Sequence, residues 1–98
     1  MSMKMFRQFQ KQMEKVQEEL KQMTVEATAG GGAVKVVATG DQRVVSIDID
    51  PSVIDPEDAE FLSEMILVAV NDAMEQSQEL AKSKLGGLTG GLKIPGLG

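Results

Sequence analysis

Cysteine and histidine are both missing from the chain. Without cysteine there is no disulfide framework and no zinc ribbon or finger. Without histidine the commonest general base and metal ligand are gone, and no Ser-His or Cys-His nucleophile can be assembled. Aromatics are scarce: Phe6, Phe9 and Phe61, with no Trp or Tyr. That scarcity argues against a module that stacks bases on aromatic platforms. No apolar run approaches the roughly 20 residues of a membrane span. The longest, Met65 to Val70, has six residues. The N-terminus lacks a signal-peptide apolar region, so the expectation is a cytoplasmic protein with no membrane partner.

What is present suits one small domain. A chain of 98 residues buries roughly 65% of its unfolded surface, and 42% hydrophobic residues can fill a core. The net charge of −5 looks wrong for a polyanion binder, but its distribution changes the reading. Residues 1–17 carry Lys4, Arg7, Lys11 and Lys15 against Glu14 alone, while residues 18–98 carry six basic and fourteen acidic residues. A basic end on an acidic body is an asymmetry that points toward polyanions.

Periodicity divides the chain. Residues 3–23 lack Gly and Pro and are rich in Lys, Gln, Glu, Met and Leu, which predicts a helix. Phe6, Phe9, Met13, Val16, Leu20 and Met23 recur at alternating spacings of three and four, a narrow coiled-coil-like seam. On a helical wheel Lys4, Arg7, Lys11 and Lys15 fall within a sector of about 80° on the opposite side. The period then changes to two. Residues 24–28, 33–39 and 43–50 read as three strands in an antiparallel meander, with turns at Gly30-Gly31-Gly32 and Gly40-Asp41-Gln42. In the last strand Val45, Ile47 and Ile49 are expected on one face and Val44, Ser46, Asp48 and Asp50 on the other. Pro51 ends it. Asp55-Pro56-Glu57-Asp58 is a helix start, with a cap, a proline at the first position and acids at the positive end. The second helix should run to about Lys84, its first half buried and its polar second half projecting. Gly86 suits a stop, and residues 86–98 hold six of the ten glycines, which predicts a flexible tail.

Few motifs suggest chemistry. No helix follows the glycine triplet and the dinucleotide fingerprint spacing is missing, so a hairpin turn explains it. The tail lacks the Gly-Lys-Ser/Thr of a phosphate loop. Asp48, Asp50 and Asp55 could hold a hard cation, but a solvated sheet face and a helix cap explain them more simply. Nothing supports catalysis, a small-molecule substrate, a metal or another cofactor. The seam of the first helix can pack on its own sheet or pair with another chain. The basic sector is either a solvated face or a polyanion surface, and Lys82 and Lys84 either suit a helix C-terminus or extend that surface.

Residues 30–76 resemble the YbaB/EbfC family of bacterial nucleoid-associated proteins. The Gly-Gly-Gly turn leads to Val34-Lys35-Val36 and Gly40. Ile47-Asp48-Ile49-Asp50-Pro51 precedes a buried helix containing Ala69-Val70-Asn71-Asp72-Ala73. Leu88-Thr89-Gly90-Gly91-Leu92 and Pro95-Gly96 close the chain, and the Met- and Gln-rich first helix also fits. The resemblance implies an α+β fold with an N-terminal helix, a three-stranded antiparallel sheet and a long C-terminal helix. It implies one domain over 1–85, made of a helical arm at 1–23, a meander at 24–50 and a helix at 56–85, followed by the tail at 86–98. It further implies a non-catalytic homodimer in the nucleoid whose protruding helices grip duplex DNA, with a role in nucleoid organisation or gene regulation. The basic positions on those arms are Lys4, Arg7, Lys11 and Lys15, with Lys82 and Lys84. The rival reading is a protein-interaction module whose first helix pairs with a different protein.

Overall fold

The structure, a computed structural model, describes residues 2–89. Helix α1 (Met3–Gln22) begins at Ser2, whose hydroxyl accepts a hydrogen bond from the Met5 N–H at 3.2 Å. It ends at Met23, where the backbone turns extended and runs directly into the sheet. The sheet is an antiparallel meander of β1 (Thr24–Ala29), β2 (Val34–Thr39) and β3 (Val44–Ile49), in that spatial order. Gly30, Gly31 and Gly32 take φ of 62°, 70° and 94° in the first turn, a region that glycine enters without steric cost. At Gly30 the missing side chain also leaves room for the Met65 sulfur. Two short 3₁₀ turns, Pro51–Val53 and Pro56–Asp58, lead into helix α2 (Ala59–Thr89). Asp50 and Asp55 cap them, accepting from Ser52 N–H and Glu57 N–H at 2.9 Å each.

The core lies between α2 and the sheet. Met65, Ala69, Ala73 and Ser77 recur every four residues and are buried along one stripe of α2. Small side chains at Ala69 and Ala73 let the helix approach Ala27, Val34, Val36 and Ala38, which the sheet presents to it. Helix α2 covers β1 and β2, so β3 keeps Val44, Val45 and Ile47 exposed. The α+β layout is the expected one.

Three local expectations are corrected. First, a bulge interrupts the β2–β3 register: Val36 pairs with Ile47 and Val37 with Ser46, but Ala38 pairs with Val44. An extra residue resets the alternation, so Val44 rather than Val45 lies across from the core residue Ala38. Second, α2 does not stop at Gly86 but continues to Thr89. Helical glycine costs about 1 kcal/mol relative to alanine, and the helix carries it here beyond the half-buried Leu80, Ala81, Lys84 and Leu85. Third, the Glu75–Lys84 stretch is more than a projecting polar half, because Ser77 within it is fully buried. The remainder of the glycine-rich tail, residues 90–98, lies outside the described residues.

Candidate nucleic-acid interface

The chain is elongated, with principal extents of 63 × 26 × 16 Å. Both helices are long: the 20 residues of α1 and the 31 of α2 span about 30 Å and about 46 Å at 1.5 Å each. In α1 only Leu20 near the C-terminal end is buried. The predicted seam therefore divides. Leu20 is buried, Met13, Val16 and Met23 are half-buried, and Phe6 and Phe9 are exposed at 50% and 38%. The inner half packs against the outer half of α2. Lys84 bonds Glu19 at 3.4 Å, and Lys15, Val16 and Glu19 share a groove with Ser83, Lys84 and Gly87.

The basic sector faces away from the buried Leu20, with Lys15 at the rim of the groove between the helices. Lys4, Arg7, Lys11 and Lys15 are all exposed. Lys4, Arg7 and Lys11 line one shallow depression with Met3 and Gln8. None of the four basic residues enters an ion pair among the described residues, whereas Lys21, Lys35 and Lys84 pair with Glu18, Glu26 and Glu19. Exposed Arg43 and Lys82 are likewise in no ion pair among the described residues, so the four on α1 stand out by forming one row on a single helix. Lys82 is exposed, while Lys84 is engaged in holding the two helices together. Residues 44–81 contain no basic residue.

Asp48, Asp50 and Asp55 are not brought together as a metal shell. Asp50 and Asp55 are occupied as caps, and Asp48 lies across from Lys35 on the sheet. Among the described residues no group of three or more metal-ligating side chains converges. Hydrogen bonds from the Ser52 backbone and side chain hold the Asp50 carboxyl below its ordinary value, as expected for an acceptor bonded in its charged form. No helix among the described residues is long and apolar enough to cross a membrane.

Sequence reasoning missed the junction that carries α1. The turn between β2 and β3 reaches both helices, and its partners, Leu20 and Ser77, give no local signal of that contact. Gly40 was legible only as a turn residue.

Comparison with known proteins agrees with this architecture. A "Nucleoid-associated protein" of Pelotomaculum thermopropionicum is 55% identical over 95 residues, covering 97% of this chain and 90% of that one. One of Chloroflexus aurantiacus is 53% identical over 91 residues, covering 93% and 91%. The crystal structure of an uncharacterized protein from Helicobacter pylori superposes with a TM-score of 0.79 at 24% identity, covering 90% of this chain and 97% of that chain. That likeness shows the shared fold. The family model for the YbaB/EbfC DNA-binding family matches residues 1–92, and the chain belongs to that family.

Proposed function

We propose that this chain is a non-catalytic nucleoid-associated protein that binds duplex DNA as a homodimer through its basic helical arms, in the cytoplasm, and serves nucleoid organisation or gene regulation. The observation that carries this reading is the row Lys4, Arg7, Lys11 and Lys15, exposed and free of ion pairs among the described residues. A row of cations on one helix can neutralise several phosphates of a duplex at once, and phosphate contacts position a protein without reading sequence. Sequence preference is therefore modest, with Arg7, Gln8 and Gln12 the side chains on this arm whose donors and acceptors can read base edges. The acidic body keeps binding weak and salt-sensitive.

Self-association is supported by exposed apolar surface. Val44, Val45 and Ile47 of β3 and Leu67 and Val68 of α2 are 40–59% exposed, and β3 is an open sheet edge of the kind that invites pairing. A dimer presents eight arm cations. With half to three-quarters of them on phosphates, log affinity falls against log salt with a slope of roughly −4 to −5. A duplex-DNA titration at several salt concentrations, on protein of measured mass, tests this. Salt-independent binding, or none at low salt, rejects it in favour of a protein-interaction module.

A further inference from the structure

The β2–β3 turn makes contacts that a simple hairpin turn does not need. The Gly40 N–H donates to Leu20 O at 2.9 Å and to Met23 O at 3.0 Å, so this turn bonds the last turn of α1 and its capping residue. Leu20 O also accepts from the Met23 N–H at 3.3 Å, so Gly40 adds a second donor there. A Cβ on Gly40 would stand 2.8 Å from Leu20 Cδ2, 2.9 Å from Leu20 O and 3.2 Å from Leu80 Cδ2. The absent side chain is what lets α1, α2 and the sheet meet here. Gly40 does not have the positive φ of Gly30, Gly31 and Gly32, so its requirement is space and not backbone freedom.

Two residues on, the same turn is held to α2. The fully buried Ser77 hydroxyl donates to Thr39 O at 2.7 Å and accepts from Gln42 N–H at 3.0 Å. Gln42 sits at φ 66°, a conformation that costs a non-glycine residue energy and persists only where its surroundings enforce it. Thr39 is further engaged by Asp41. One four-residue turn thus caps α1, packs against Leu20 and Leu80, and is pinned to α2 through Ser77.

We infer that this turn is the joint that sets the direction of the α1 arm, with Gly40 and Ser77 as positioning residues for the grip on a second large molecule. The inference rests on the DNA reading for its consequence but not for its geometry. The cations Lys4, Arg7 and Lys11 lie nine or more residues beyond Leu20 in sequence, so a few degrees of rotation at the joint become a displacement of ångströms at the tip. A grip that needs several phosphates at once is sensitive to such a displacement, whereas the core under α2 is not.

The test uses spin labels, which the absence of native cysteine makes clean. Cysteines replace the exposed Gln10 on α1 and the exposed Glu64 on α2, and the labelled chain is diluted with unlabelled protein so that distances within one chain dominate. The label distance, DNA affinity and melting temperature are compared for the parent, Gly40→Ala, Ser77→Ala and the control Val34→Ala. Val34 is fully buried in the core and lies at the end of β2 opposite the joint. Gly40→Ala is expected to shift the label distance and to lower DNA affinity about tenfold with a shallower salt slope. Ser77→Ala broadens the distance distribution and weakens binding less. Val34→Ala lowers the melting temperature while leaving distance and affinity in place. Should Gly40→Ala fail to fold, Ser77→Ala carries the comparison alone. Unchanged distances in folded joint variants overturn the inference, as does a shift that Val34→Ala reproduces or one that leaves DNA affinity intact. A shifted distance in a protein whose parent binds no duplex leaves the joint standing and overturns the DNA reading instead.

Discussion

Helices α1 and α2 are both long, and they solve opposite problems. Helix α1 is strongly amphipathic, with an apolar seam on one side and cations on the other, yet it buries one residue, Leu20. Helix α2 carries apolar residues on several sides between Phe61 and Met74, yet its fully buried residues lie on the single stripe Met65, Ala69, Ala73 and Ser77, with Leu62, Ile66, Val70 and Met74 packed half-buried beside it. The difference shows that the sharpness of a helical pattern does not measure burial. A narrow seam reports which side is apolar, while what covers that side is decided by the rest of the fold. In α1 the fold covers only the inner half, and the outer half keeps its cations clear of the body.

The largest expected effect tests whether that clearance has a purpose. Changing Lys11 and Lys15 to Ala removes four positive groups from a dimer. Affinity for any duplex should fall, and the salt slope should flatten by up to about 4 units if all four were contacts. Folding should survive, because alanine is favoured at exposed helix positions. If the double variant folds and binds with an unchanged salt slope, the basic sector is only a solvated face and α1 loses its contrast with α2.

The next effect concerns which apolar surface pairs the chains. The expected mass in solution is about 21 kDa, twice the 10.5 kDa of one chain. Because the inner seam is already used within the chain, Phe6 and Phe9 alone offer little against the roughly 800 Å² per partner of a stable interface. The pair Ile47→Glu and Leu67→Glu, at positions 44% and 59% exposed, should therefore halve the mass. Phe6→Ser with Phe9→Ser should leave it. Light scattering decides, and the opposite pattern would return the interface to the helix seam.

Much of this architecture could be read locally. The Ser2 to Met23 helix, the glycine turn and the Asp55-Pro56 start depend on a few adjacent residues, and their physics is contained in them. The seam and the basic sector were legible for the same reason, since both follow from spacing. What was not legible depends on distant partners. The bulge opposite Ala38 is a register choice between two strands. The continuation of α2 past Gly86 to Thr89 runs against the local helix cost of glycine. Burial of Ser77 within a polar run follows from Thr39 and Gln42, which are 38 and 35 residues away.

A smaller effect separates the two halves of the seam directly. Leu20 is 1% exposed, and a buried Leu→Ala costs about 2–5 kcal/mol through lost transfer energy and the cavity left behind. Phe9→Ala, at a surface position, should stay within about 0.5 kcal/mol. Urea unfolding of each variant measures this. Equal losses at both positions would mean that the outer seam is covered as thoroughly as the inner one.

The smallest effect is electrostatic and lies in the connection between β3 and α2. Asp50 accepts from the Ser52 N–H at 2.9 Å, and those hydrogen bonds hold its carboxyl below the ordinary 3.8. A carboxyl whose folded value is depressed contributes stability that is present above its unfolded value and is lost as pH falls through the folded one. The contribution is therefore complete at neutral pH and fades below about pH 4. With no histidine in the chain, no side chain with an ordinary imidazole transition titrates between pH 5 and 8. Melting temperature should be level across that window. Asp50→Ala should melt slightly below the parent at neutral pH, and the gap should close as the solution is acidified. Asp50 is exposed, so the gap should also shrink in high salt. A gap that persists undiminished at pH 2.5 would show that the residue acts through the shape of its turn and not through its charge.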